Sequence, residues 1–270
     1  MLKALFAAIV LTVLSLGAAH AASIEEVQTL YDSGDYDGAA DMGEALKTPQ
    51  GYTLATKALL GKTNLLPRKE RSLDDIARAT ALAEAAFKLD PDNIDAHLQY
   101  ATSLGIRGRL ISKLRSKLER LPERAEEHLL MALKLEPDHS WANAFYAAWH
   151  MEVTRNGGAT LASAIYGASL ETGIEIYDQA LTLQPTSPVL PYEYAQFLLA
   201  ANYFTYRDKA AGLLEMSRAL PARNHQERAI HDRGAALQAG LEADDPKLVL
   251  DLIATHRGSK KIKVPKRPRA

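Results

Sequence analysis

The chain has 270 residues, with 32 Lys and Arg against 33 Asp and Glu, a formal net charge of −1 and no cysteine. Without cysteine it has no disulfide staple and no lipid anchor carried on a thiol. Apolar residues make up 47% and charged residues 24%, which excludes wholesale disorder, and the dominance of alanine and leucine over β-branched and aromatic residues favours helix over strand.

Residues 1–21 read as an export signal. Lys3 supplies a positive charge, and Ala4 to Gly17 is apolar except for Thr12 and Ser15. Ala19-His20-Ala21 then fits the small-x-small rule, which places cleavage before Ala22. The apolar run falls short of the ~20 residues that a membrane span needs. The expected mature form is a soluble exported protein, periplasmic in a Gram-negative host. It divides into a helical body, 22–256, and a basic tail, 257–270. The body carries 24 Lys and Arg against 33 Asp and Glu; the tail carries seven basic residues, no acidic one, and two prolines. That composition predicts a tail disordered in the free protein.

In chain order, Ser23 to Glu26 is a capping-box pattern that opens a first helix. Tyr31 to Tyr36 is a turn around Gly34, and a second helix runs to Lys47. Further helices are predicted over 51–65, 73–89, 94–104, 123–135, 140–153, 170–183, 188–202, 207–220, 226–242 and 246–255. Ser72 and Asn93 serve as N-caps, and Ser187-Pro188 as cap plus first-turn proline.

Within this series one phrase occurs three times: AFKLDP at 86–91, ALKLEP at 132–137 and ALTLQP at 180–185. Each is followed by Tyr-Ala at the same distance (Tyr100-Ala101, Tyr146-Ala147, Tyr194-Ala195) and preceded by a small residue (Ala79, Ala125, Gly173). Self-similarity at fixed register is the mark of stacked repeats. These residues resemble tetratricopeptide (TPR) repeats, in which paired antiparallel helices cross at small residues and a proline closes each unit. Gly34 to Ala39 resembles the turn inside such a pair. The resemblance spans Ser23 to Leu220 and implies an all-α solenoid. The spacing departs from the family: Pro91, Pro137 and Pro185 lie 46 and 48 residues apart, against about 34 in an ordinary repeat. The excess falls between paired helices, at 105–122 and 155–169. The first insertion reads as an extra amphipathic helix with Leu110, Ile111, Leu114, Leu118 and Leu121 on one face. A weaker similarity is to the T-component family that accompanies TRAP transporters.

The TPR resemblance implies a concave groove lined by the first helix of each pair. Carried onto this sequence, the groove positions include Asp95, Thr102, Trp141, Met151, Tyr192 and Gln196, suited to a protein or peptide partner. The alternative for the same residues is core packing, with the insertions filling the groove. A second candidate is the basic insertion, Arg107, Arg109, Lys113, Arg115 and Lys117, opposed only by Glu119 and Glu123. A leucine face backed by cations can lie on an anionic membrane or hold an acidic partner helix, and the tail offers the same contact.

No catalytic, metal or cofactor set emerges. Gly61-Lys62-Thr63 resembles the end of a phosphate loop, but residue 56 is threonine where glycine is required. His225 and His231, six apart, fall on opposed faces, unlike the four-residue spacing of a zinc helix. The sequence therefore leads to an exported TPR-like scaffold without enzymatic activity or nucleic-acid partner. It would bind a protein or peptide through its groove, with an envelope complex as one candidate partner. The alternative is a small-molecule-binding accessory component of an envelope transport system.

Overall fold

The computed structural model describes residues 23–183 and 186–267; the expected export signal lies outside the described residues. Among those residues are fourteen α-helices and no strand. They fall into six consecutive pairs: α1 (Ile24–Ser33) with α2 (Tyr36–Ala45); α3 (Pro49–Leu65) with α4 (Leu73–Leu89); α5 (Ile94–Leu110) with α7 (Leu121–Leu135); α8 (Ser140–Gly157) with α10 (Leu170–Thr182); α11 (Val189–Ala201) with α12 (Tyr203–Ala219); and α13 (His225–Glu242) with α14 (Pro246–Arg257). Two short helices, α6 (Lys113–Leu118) and α9 (Ala159–Tyr166), lie within the third and fourth pairs.

Local chemistry explains the boundaries. Ser23 and Glu26 form the predicted reciprocal cap, with N–H to oxygen distances of 2.9 and 3.2 Å. Asn93 accepts from the Ala96 N–H at 2.9 Å, and Ser72 accepts from Asp74 and Asp75. Gly34 closes α1 at φ +95°, and a Cβ there would meet the His225 ring at 2.7 Å, so both backbone and packing require glycine.

The repeated phrases place small residues where helices cross. Ala79, Ala125, Ala101, Ala147 and Ala195 are all buried, and a Cβ on Gly173 would lie 2.7 Å from Met151 Cγ across the α8–α10 contact. Tyr194 fills the adjoining space, stacking on Tyr177 at 4.2 Å while its hydroxyl donates to Asp178 at 2.9 Å. The core extends along the array as three apolar clusters, as expected of a solenoid.

The insertions differ from expectation. The first is not one helix: α5 runs on to Leu110, Ile111 is extended, and Ser112 caps the new, short α6. Leu110 and Ile111 are half-buried and Leu121 buried, while Leu114 and Leu118 stand exposed, so the five residues do not share a face. Arg257, which the sequence placed at the head of the tail, ends α14 and is buried; beyond it Ile262 packs on the core and Arg267 pairs with Asp244 at 2.7 Å, while Lys260, Lys261, Lys263, Val264 and Lys266 are exposed.

First helices of neighbouring pairs touch along an inner row, and that row closes on itself because α13 reaches α1 and α3. The Tyr31 hydroxyl donates to Gln226, Tyr36 meets His225 Nδ1 at 3.2 Å, and Arg233 donates to the Asn64 and Leu65 carbonyls at 3.0 and 2.9 Å. Helix α14 then turns inward instead of joining the outer row. It packs against α11 and α3, burying Val249, Leu250 and Ile253.

Candidate functional site: the concave face

Where α14 ends, the inner face is an ion network. The Arg257 guanidinium is 3% exposed; it donates to Glu152 at 2.9 Å and Glu193 at 3.3 Å, and sits 3.9 Å over the Phe197 ring. Arg71, also buried, donates to the carbonyls of His256 at 2.8 Å and Arg257 at 3.0 Å, and Arg68 to that of Gly258 at 2.7 Å. Those acceptors are carbonyls that a helix end leaves without intrahelical partners, so two arginines complete the α14 C-terminus. Burial works against charge on Glu152, yet Arg257, Arg155 and Arg109 outweigh it and hold the carboxyl far below the ordinary range. Burial and the repulsion of Arg257 bring Arg109 down to about 10, and burial with Arg109 and Arg233 does the same to Arg71. His256, bonded to the Tyr192 hydroxyl at 2.9 Å, is lowered to about 4 by burial and by Arg233.

This arrangement corrects the expected groove. Met151, Tyr192 and Gln196 are buried and cannot line an open surface, and Trp141 is half-buried against Phe145. Met151 is buried at the α8–α10 crossing, and Tyr192 lies under α14, whose His256 meets its hydroxyl, so the chain's own helices rather than the insertions close this part of the face. Asp95 is exposed and Thr102 half-buried on α5, and a Cβ on Gly105 would find nothing within 4 Å. The concave face along α5 thus stays open around Thr102 and Gly105, while Leu98, between them and Asp95, is buried.

The basic insertion also divides. Arg109 joins the interior network, and its carbonyl accepts from Arg68. Arg107 and Arg115 share Glu119 at 2.6 and 2.7 Å, which lowers that carboxyl to about 2 through their two hydrogen bonds. Lys113 donates to the Asn156 carbonyl at 2.6 Å, and Lys117 is exposed.

The sequence missed Arg71, Glu152 and Glu193 and assigned Arg257 to the tail. No local signal marks them, because each works through a residue distant in sequence. The phosphate-loop resemblance dissolves: Lys62, within α3, pairs with Asp37 at 2.7 Å, and Thr63 donates to its own helix at the Leu59 carbonyl. His225 faces Tyr36 while His231 faces the Ser217 carbonyl. Among the described residues, no group of three or more His, Cys, Asp or Glu could hold a metal ion. A histidine pair does occur, His97 buried and His128 half-buried: His97 Nε2 donates to the Pro91 carbonyl at 2.9 Å, so its Nδ1 accepts from His128 Nδ1–H at 2.8 Å. Burial, then His97 and Arg124, push His128 down to about 4.

Paired helices, an inner row and small-residue crossings define an all-α solenoid of the TPR type, a scaffold class that fits protein interaction and is generally non-enzymatic. Among solved structures, a thermophilic TPR protein of Thermus thermophilus superposes with a TM-score of 0.57 at 15% identity, covering 78% of this chain and 96% of that one. At the level of sequence the chain matches the family described as Regulator of microtubule dynamics protein 1-3 over residues 24–242, and it belongs to that family. No curated protein matches it. The weaker similarity to the TRAP-transporter T-component draws no support from these matches. The family match stops short of α14, the helix that seals the concave face.

Proposed function

We propose that the chain is an exported, non-catalytic scaffold that holds a segment of a protein partner on the open strip of its concave face. The observation that carries this reading is the free space beside Gly105 on a face otherwise filled by α14. Asp95, Thr102 and the exposed part of Trp141 supply a charge, a hydroxyl and an aromatic edge for such a segment. Export rests on residues 1–21 alone and makes the periplasm the working compartment in a Gram-negative host. The family's name speaks of microtubule dynamics; the scaffold carries over to an exported chain, and the microtubule does not. The small-molecule alternative gains little, because the interior beneath α14 is packed and charged, and the cleft of about 690 Å³ beside α14 is lined by Arg68, Lys69, Arg71, Asp251 and Lys261 instead of being an enclosed apolar cavity.

The test is capture of a partner from an envelope extract by wild type and by Thr102→Arg and Gly105→Arg variants. Arginine fits the free space and is a better helix former than glycine by about 1 kcal/mol, so folding should survive. Loss of one dominant partner at an unchanged melting temperature is the expected result. Equal capture by both variants would remove the strip from the account.

A further inference from the structure

The two insertions meet on one edge of the solenoid, where Lys113 of α6 donates to the Asn156 carbonyl just before α9. Each short helix carries an i, i+4 apolar pair facing solvent: Leu114 and Leu118 are 69% and 75% exposed, Leu161 and Ile165 54% and 52%. Leaving these four side chains in water is unfavourable, and nothing among the described residues covers them.

Charge is concentrated at the same edge. Apart from the inward-turned Arg109, residues 107–124 hold six Lys and Arg against two Glu, and 156–170 hold no charged side chain. The rest of the 22–256 body holds 17 Lys and Arg against 31 Asp and Glu. Lys113, Arg115, Lys117 and Arg120 are all exposed, and the one carboxylate among them, Glu119, is held by Arg107 and Arg115. A neighbouring cleft of about 690 Å³ carries Arg68, Lys69, Arg71 and Lys261 against one carboxylate, Asp251.

We propose that this edge docks on an anionic phospholipid bilayer, with the leucine pair of α6 and the Leu161/Ile165 pair of α9 entering the interface and the cations between them meeting phosphate headgroups. Short amphipathic helices with apolar faces flanked by Lys and Arg bind interfaces in this way, and the attraction adds up over the basic residues near the surface. High exposure favours a bilayer over an acidic partner helix: Leu114 and Leu118 are 69% and 75% exposed, and neither the 690 Å³ cleft nor one of about 190 Å³ is lined by any residue of α6 or α9. The acidic remainder of the body would be repelled by the same membrane, which fixes the orientation. This surface is separate from the strip on α5, and either can fail without the other.

Because the chain has no cysteine, Leu118→Cys, Ile165→Cys and, as a control on the outer face of α7, Met131→Cys each accept a single environment-sensitive NBD label. The labelled full chains are mixed with phosphatidylglycerol-containing vesicles or pure phosphatidylcholine vesicles. Docking requires a blue-shifted, brighter emission at 118 and 165 with phosphatidylglycerol only, lost at high salt, and no change at 131. Changing Arg115, Lys117 and Arg120 together to Gln should weaken partition roughly a hundredfold, about fivefold per charge. The proposal is overturned if labels 118 and 165 stay silent while the chain sediments with vesicles, which would assign binding to another segment such as residues 1–21. An equal response to phosphatidylcholine, an equal response at 131, or a response only to soluble polyglutamate would overturn it as well.

Discussion

The inner face beneath α14 and the outer edge carrying α6 and α9 both hold arginines beside apolar side chains, yet the two stand in opposite physical states. Inside, Arg257 is almost fully buried and bonded to two carboxylates, and its helix buries Val249, Leu250 and Ile253. At the edge, Leu114 and Leu118 face solvent and the cations are exposed. The first arrangement is enclosed by the chain itself, although the buried Nε atoms of Arg109, Arg155 and Arg257 have no hydrogen-bond partner. The second is incomplete, so substitutions should cost stability inside and association outside.

The largest effect should follow Glu152→Leu, which leaves Arg257, Arg109 and Arg155 without their shared carboxylate. Removing one side of a buried charge network costs about 3–5 kcal/mol, readable as a shift of the urea midpoint. Ile253→Ala should cost about 2–4 kcal/mol by opening a cavity under α14. Gly173→Ala, which sets a methyl against Met151 and the Ala147 carbonyl, should cost about 1–3 kcal/mol in the same measurement. By contrast, Leu118→Ser at the edge should leave the midpoint within about 0.5 kcal/mol. A large loss there would mean that the edge is part of the core after all.

Acidity probes the interior as well. His128 and His256 are lowered to about 4 in the fold, so the unfolded chain takes up their protons first. Their contribution is whole above about 6.5 and is lost as pH falls from there toward 4, by about 1–2 kcal/mol for the pair once solvent screening is allowed for. Glu152, lowered in the fold, adds its own loss in the same direction below about 4.5. Urea unfolding at pH 7 and pH 5 should show the decline, and His256→Gln should remove part of it.

The repeat architecture was legible because its signals are local. The three phrases, the Tyr-Ala pairs and the caps at Ser23, Ser72 and Asn93 act within one or two helices. The site was mostly hidden because it is built from long-range pairs: Arg71 meets the Arg257 carbonyl 186 residues away, and Glu152 meets the Arg257 side chain 105 residues away. An arginine near a basic tail reads as solvated, and Tyr192 at groove spacing reads as exposed, until α14 is known to fold inward. The insertions were found by their length, but Ile111, extended between α5 and α6, splits the expected amphipathic face.

The account turns on α14 sealing the concave face from inside. Hydrogen exchange of the amides in 246–257 tests this most directly. Exchange as slow as in α11, governed by global unfolding, is the predicted result. Exchange within seconds, as for a frayed terminal helix, would contradict the sealed face and return Tyr192 and Gln196 to an open groove.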